Sequence, residues 1–336
     1  MGKTATVGAR LGTKKLDMQK LLAPLALVIL YIFFSIFGEN FFTWDTAENI
    51  LQASYYIGFM AFGVTFIIIT GGIDLSLGTV MMCSALLGGY CFKVLQLPMA
   101  VCILVTLATG MLFGLINGLL IAKLKLPPFI ATLGTQMMSS GLGSILTKVQ
   151  AQTWPPASDP VGGWFKKIFV REQIFGFLPV GAVWLLVFFI IAALILHKTK
   201  LGRYFYAIGS NEEAARLSGI NVDKWKISAY VLSGFFVGMA ALFYAAVYST
   251  ITPGTGAGQE MHGITGVIIG GTSMAGGSGT MVGTLIGVFI MSTLKTGLSS
   301  CGLQAQWQTF FTGLVVIGAV LLDIYRTKVA NRVKKS

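Results

Sequence analysis

The sequence predicts an all-α polytopic membrane protein with about ten transmembrane helices, several of them broken by glycine, and one short polar helix outside the membrane. Three observations carry that expectation. Hydrophobic residues make up 55% of the 336 and charged residues only 11%. With a mean hydropathy of +0.79, that is more apolar surface than a water-soluble fold can hide. Apolar stretches near twenty residues recur along the chain, the length that a hydrocarbon core of roughly 30 Å asks of a helix. The third observation is the 42 glycines, many of them spaced by four inside those stretches.

The first expected span, 21–38, follows a basic segment over 1–20. It resembles a signal peptide in that respect, but it lacks a small-residue cleavage site and runs into Tyr31, Phe33 and Phe34, so it reads as an uncleaved anchor. Spans 50–70 and 74–92 are separated by Gly71 to Gly78 (GGIDLSLG). Span 99–122 carries Gly110, Gly114 and Gly118, and span 127–147 precedes a long loop over 148–176, expected to be external. Span 177–196 leads into a polar segment over 197–226, and span 227–248 carries Gly234 and Gly238. The eighth span, 262–274, is only about 13 residues long and is interrupted by Gly266, Gly270 and Gly271. It is either a crossing or a re-entrant arm. Spans 281–297 and 307–323 complete a single membrane domain over 21–323, followed by a basic tail over 324–336.

Ten spans with both termini cytoplasmic place 18 of the 24 Lys and Arg on the inner side, as the positive-inside rule requires. The exceptions are Lys93, Lys148, Lys166, Lys167, Arg171 and Lys295. The net charge of +12 therefore belongs to membrane topology. It forms no basic face with interleaved aromatics, so no nucleic-acid partner is expected. Cys83, Cys91, Cys102 and Cys301 lack CxxC or metal spacing and read as small packing residues, with no metal implied.

Glycines every fourth residue let helix backbones approach closely in lipid. The stripes 110/114/118, 234/238, 266/270 and 283/287 point to packing within one bundle ahead of a dimer face. Two glycine clusters, Gly71 to Gly78 and Gly270 to Gly279 (GGTSMAGGSG), unwind the chain at span ends. Unwound backbone is tolerated at depth only against protein or water. Gly71, Gly72, Asp74, Ser76, Asn117, Gly270, Gly271 and Thr272 are therefore the candidate walls of a pathway. For Asp74 the competing roles are capping the third helix and structural support; for Asn117, an interhelical hydrogen bond.

No catalytic residue is expected. The chain has no GxxxxGK[ST] loop to hold nucleotide phosphates, no HExxH, no paired carboxylates and no nucleophile elbow. The polar loop Gly209 to Val222 (GSNEEAARLSGINV) instead offers Asn211 as a cap, Glu212 and Glu213 at the positive end of a helix dipole, and Gly219 as a left-handed stop. A helix of about seven residues is too short to persist alone in water, so it calls for a docking surface.

Glu213-Ala214-Ala215 followed by Gly219 resembles the EAA motif of ATP-binding cassette importer permeases, where that loop forms the coupling helix. Over nearly its whole length the chain is similar to the ribose-type monosaccharide permeases of that class. The similarity runs through Asn40-Phe41-Phe42-Thr43, GGIDLSLG at 71–78, Pro128-Phe129-Ile130-Ala131-Thr132-Leu133 and Leu201-Gly202-Arg203-Tyr204. It continues through SGINV at 218–222, GGTSMAGG at 270–277 and VGTLIG at 282–287. It departs at Glu260-Met261-His262-Gly263, where the family leads one to expect Glu-Leu-Asp-Ala.

The resemblance implies a dimer of permease subunits, taken to be a homodimer, in the inner membrane. The dimer would sit on an ATPase with two nucleotide sites and be fed by an extracytoplasmic sugar-binding protein. ATP and Mg would belong to the ATPase, with no cofactor on this chain. Asn211, Glu212, Glu213, Ala214, Ala215, Arg216 and Gly219 would couple to the ATPase, and an outward-facing Glu260 would meet the binding protein. A pentose such as ribose is favoured, with hexoses and polyol-like signal molecules open. The alternative is an ion-coupled secondary solute transporter, which needs an intramembrane relay for which Asp74 is nearly the only deep candidate.

Overall fold

The computed structural model describes residues 18–333 apart from 172 and 175–177. The expected basic N-terminus lies outside the described residues except for its last few positions, as does the very end of the basic tail. The helices run α1 (Met18–Phe37), α2 (Trp44–Ile69), α3 (Leu77–Lys93), α4 (Met99–Ala122), α5 (Pro128–Leu146), a short α6 (Trp164–Lys166) continuing into a π turn over Lys167–Arg171, and α7 (Val180–Lys198). They continue as α8 (Lys200–Ser210), α9 (Glu212–Leu217), α10 (Val222–Tyr248), α11 (Gln259–Ile269), α12 (Met281–Ser300) and α13 (Ala305–Val333). Four two-residue strands, β1 (Gln152–Thr153), β2 (Gln173–Ile174), β3 (Leu178–Pro179) and β4 (Thr250–Ile251), pair antiparallel as β1 with β4 and β2 with β3.

Every expected span coincides with a helix, but the helices are unequal. Six of those described are long and apolar enough to cross a membrane on those grounds alone: α2, α4, α7, α10, α12 and a stretch of α13. The ends also differ from expectation. Helix α2 begins at Trp44, before the expected residue 50, because Thr43 caps it by accepting the Thr46 amide at 3.3 Å, and its polar first turns pass for loop in a hydropathy reading. Helix α3 starts at Leu77, after Asp74. Helix α11 covers 259–269, shifted from the expected 262–274. Its 11 residues rise only about 16 Å at 1.5 Å each, half a hydrocarbon core, and Gly270 to Thr280 is not helical.

Helices α2 and α10 form the centre, with aromatic side chains of both interlocked: Phe59 stacks on Phe243 at 4.7 Å and Phe66 on Phe236 at 6.0 Å. The glycine stripes pack against one another inside this chain. A β-carbon on Gly110 or Gly114 would strike backbone of Gly234 or Tyr230 on α10, and one on Gly234 would strike Gly110. Gly266 of α11 and Gly270 just after it meet Gly287 and Gly283 of α12 in the same way, backbone to backbone. The long loop after α5 folds onto the end of α10. Trp154, wholly buried, donates its indole N–H to the Ala85 carbonyl at 3.0 Å, and Lys166 reaches Ser249 at 2.7 Å.

Gly287→Ala therefore costs about 1–3 kcal/mol by overpacking an interface with no side chain to yield. Gly318→Ala, where an added β-carbon meets nothing within 4 Å, leaves stability unchanged. Thermal unfolding of the two variants in detergent checks the contrast, and equal melting temperatures would remove the seam from the account.

Candidate functional site

The polar segment between α7 and α10 is built as two helices. Helix α8, which the sequence reading treated as part of a loop, is capped by Thr199 and turns Gly202, Phe205 and Ile208 inward, where Phe205 meets Phe66 at 5.9 Å. Its last turn presses its backbone into the protein. A β-carbon on Gly209 would collide with the Ile69 carbonyl, and Gly277 donates its N–H to that carbonyl at 2.9 Å. Gly276, at φ +83°, packs on Gly209 and the Gly71 amide. The two glycine breaks read from sequence thus meet each other at the end of α8.

Helix α9 follows as expected. Asn211 accepts the Ala214 amide at 2.9 Å. At the other end Gly219, at φ +82°, donates to Arg216 while Ile220 donates to Ala215, at 3.0 and 3.1 Å, the double bond of a Schellman stop. Ion pairs tie the helix to α10, Lys226 with Glu212 at 2.6 Å and Arg216 with Asp223 at 3.6 Å, and Lys125, just after α4, joins Asp223 at 2.7 Å.

The faces of α9 correct one expectation. Asn211, Glu212, Glu213, Ala214, Arg216 and Gly219 are exposed, but Ala215 is buried with Ile208 and Val222. Leu217 also points outward, 85% exposed, the most of any large apolar side chain among the described residues. The sequence reading passed over it because a single leucine carries no motif.

Partial burial pushes the Glu212 carboxyl up, but the hydrogen bond and charge of Lys226, with help from Arg216, outweigh this and hold it below the usual carboxylate range. A depressed folded-state value means that the tether is intact above the ordinary glutamate value of 4.5 and is lost as pH falls through the lower folded value. Protection factors over 212–218, with each amide's intrinsic pH-dependent rate divided out, should accordingly be flat across neutral pH and fall only in acid below 4.5. A fall already near pH 6 would break the assignment of Glu212 as the anchor.

Asp74 lies before α3, not in it, and does not cap it. It is 3% exposed, and its Oδ1 accepts the Ser76 amide at 2.8 Å and hydroxyl at 2.6 Å. Asn117 of α4 donates to Asp74 Oδ2 at 3.3 Å and to Ser76 at 3.0 Å, and Thr135 of α5 donates to the Asn117 carbonyl at 2.7 Å. Tyr230 of α10 donates to the Ile73 carbonyl at 3.1 Å. The void beside Asp74 and Asn117 is about 10 Å³, room for roughly one water. Within one chain these residues brace the first break and do not line an open passage.

Gly270 belongs to the α11–α12 seam, Gly271 turns at φ +93°, and the Thr272 hydroxyl is buried without a partner among the described residues. Asp323 of α13 holds the second break by accepting the Met274 amide at 3.1 Å. Glu260, expected outward, is 3% exposed. Its carboxylate turns back to accept the Gly258 amide at 3.0 Å and packs on Gly78 at the start of α3. The loop over 249–258 descends into the bundle and carries it there.

Replacing Asn117 by Leu leaves the buried Asp74 carboxylate and Ser76 hydroxyl short of a donor, while Thr135 falls back on the Ala131 and Thr132 carbonyls, at a cost of about 1–3 kcal/mol. Thr109→Val removes only a bond to the Val105 carbonyl of its own helix and is nearly neutral. Chemical unfolding in mild detergent measures the difference, and equal stabilities would dismiss the network as a brace.

A sequence model described as the permease component of branched-chain amino acid transport systems matches residues 46–320. The ribose import permease protein RbsC of Escherichia coli K12 is 36% identical over 330 residues, 95% of this chain and 98% of its own. RbsC of Bacillus subtilis strain 168 is 39% identical over 311 residues, 91% of this chain and 93% of its own. The fructose import permease protein FrcC of Rhizobium meliloti is 34% identical over 313 residues, 91% and 86% of the two chains.

Proposed function

Because this chain belongs to the permease-component family of branched-chain amino acid transport systems, we propose that it is the transmembrane permease subunit of an ATP-binding cassette importer for a monosaccharide, ribose being favoured. The ribose and fructose import permeases that align along nearly all of it support the substrate class. The single structural observation that carries the reading is α9, a six-residue helix stopped at both ends, ion-paired to α10, and presenting Leu217 to the outside. Such an element has no use within its own bundle and suits a groove on a partner.

In this reading α9 is the coupling helix. It docks on a separate ATPase with two nucleotide sites, which holds the ATP and Mg, while this chain does no catalysis. The 197–226 segment and both termini are cytoplasmic, and α1 to α5, α7 and α10 to α13 make ten membrane segments, with α11 entering only half-way. Two such subunits, as a homodimer, enclose the pathway, and an extracytoplasmic sugar-binding protein delivers the solute to it. ATP binding closes the ATPase, shifts α9 and moves α7 and α10, which flank the α8–α9 unit in sequence. The ATPase thus biases two states of the pathway by differential binding. The ion-coupled alternative gains nothing from the relatives, and Asp74 is committed to Ser76 and Asn117.

Leu217→Asp puts a charge at the centre of the docking face, so ATP-driven uptake falls about tenfold or more while insertion and pairing of permease subunits persist. Uptake of labelled ribose into proteoliposomes containing the whole transporter is the measurement; full activity in this variant refutes the docking assignment. Ala215→Asp acts differently, burying a charge beside Ile208 and Val222 and unseating α9 itself.

A further inference from the structure

A cleft of about 300 Å³ opens at the opposite end of α10 from α9, between α2, α10, α12 and α13. That volume is at the small end of ligand sites, which run to about 1,000 Å³. Its walls carry Asn49, Gln52, Tyr248, Lys295, Ser299 and Gln308. Amides and hydroxyls both donate and accept, the pairing that a ring of hydroxyl groups presents. No carboxylate lines the cleft, so nothing in it selects a cation.

Lys295 is the unusual member. It lies within the apolar helix α12 and forms no ion pair among the described residues, and an ionisable residue in a membrane helix is retained for a task. Its ammonium group donates to the hydroxyl of Tyr56 and sits 5.0 Å from the Tyr56 ring centre and 5.8 Å from that of Tyr248. Tyr56, Tyr244 and Tyr248 pack with centroids 4.5 to 6.1 Å apart. These rings hold the charge in place through its quadrupole attraction. Tyr56 is wholly buried; an ammonium group has three donors, so Lys295 keeps at least one beyond its bonds to Tyr56 and Tyr248. In the positive-inside count this lysine was one of six on the disfavoured side.

We infer that this cleft is an entry site for one uncharged monosaccharide ring, with Lys295, Asn49 and Gln52 donating to its hydroxyls and Tyr248 offering an aromatic wall. The inference rests on the import reading, since it takes this end of α10 as the one facing the binding protein. Affinity here is weak by construction: the cleft is half open, and a transit site must also let go.

The test uses the assembled transporter, with its ATPase and binding protein, in proteoliposomes, and labelled D-ribose as the probe. Lys295→Gln and the double variant Asn49→Ala/Gln52→Ala should each raise the half-saturating concentration of loaded binding protein or cut uptake by about tenfold. ATPase stimulation by the loaded binding protein should remain, which shows that the variants are folded and assembled. In a Cys301→Ser background, Ser299→Cys on the exposed lip should react with a water-soluble thiol reagent roughly fivefold more slowly under saturating ribose.

Variants that import like wild type, together with labelling that ribose does not slow, overturn the site alone. Protection by inorganic phosphate but not by ribose overturns it in favour of an anion site. A wild-type transporter that moves no monosaccharide overturns the import reading and the site with it.

Discussion

Helices in hydrocarbon gain nothing by hiding apolar side chains from lipid, so their association depends on how closely backbones approach. Here that approach is concentrated in two glycine seams, Gly110 and Gly114 of α4 against Gly234 of α10, and Gly266 and Gly270 in and just after α11 against Gly287 and Gly283 of α12. The first seam seats the central helix. The second lets a helix of only 11 residues remain in the bundle at all, because it exchanges side-chain contact for direct contact along the α12 backbone.

Once the seams are set, the freed polar groups at the breaks have few places to go, and the structure connects them to one another. Ile69 receives Gly277, Asp323 receives Met274, and Asp74 receives Ser76 and Asn117. Three of the helices, α2, α4 and α13, supply partners in these bonds, and α8 packs on the Ile69 carbonyl, so both breaks, α8 and the approach to α9 form one connected body. The helix that exposes Leu217 is thereby mounted on the same backbone that interrupts the membrane helices, an arrangement that fits the coupling role proposed for it.

Much of this was legible in the sequence, because it is written locally. Span 99–122 coincides with α4, and the cap and stop of α9 follow from Asn211 and Gly219, whose chemistry acts within a few residues. What was not legible depends on partners distant along the chain. The polar first turns of α2 hide its start. Phe205 and Ile208 make α8 a helix only against residues such as Phe66. Ala215 faces inward because Ile208 and Val222 form a pocket for it, and Glu260 is buried because a loop with left-handed turns at Gly254, Gly256 and Gly258 carries it down. Lys295 looked like a stray charge near a span end; its meaning lies in Tyr56, 239 residues away in sequence.

Helix α10 is unbroken over its 27 residues, and the contact of Gly234 with α4 falls near its middle. The seam around it runs from Ile227, which faces Gly118, to Gly238, which faces Leu107, and from Gly234 the arms are about 18 Å to the α9 end and about 21 Å to Tyr248 at 1.5 Å per residue. In the importer proposed above, a tilt about that seam moves the two ends in opposite directions by nearly equal distances, so one rigid part serves two gates in opposite phase.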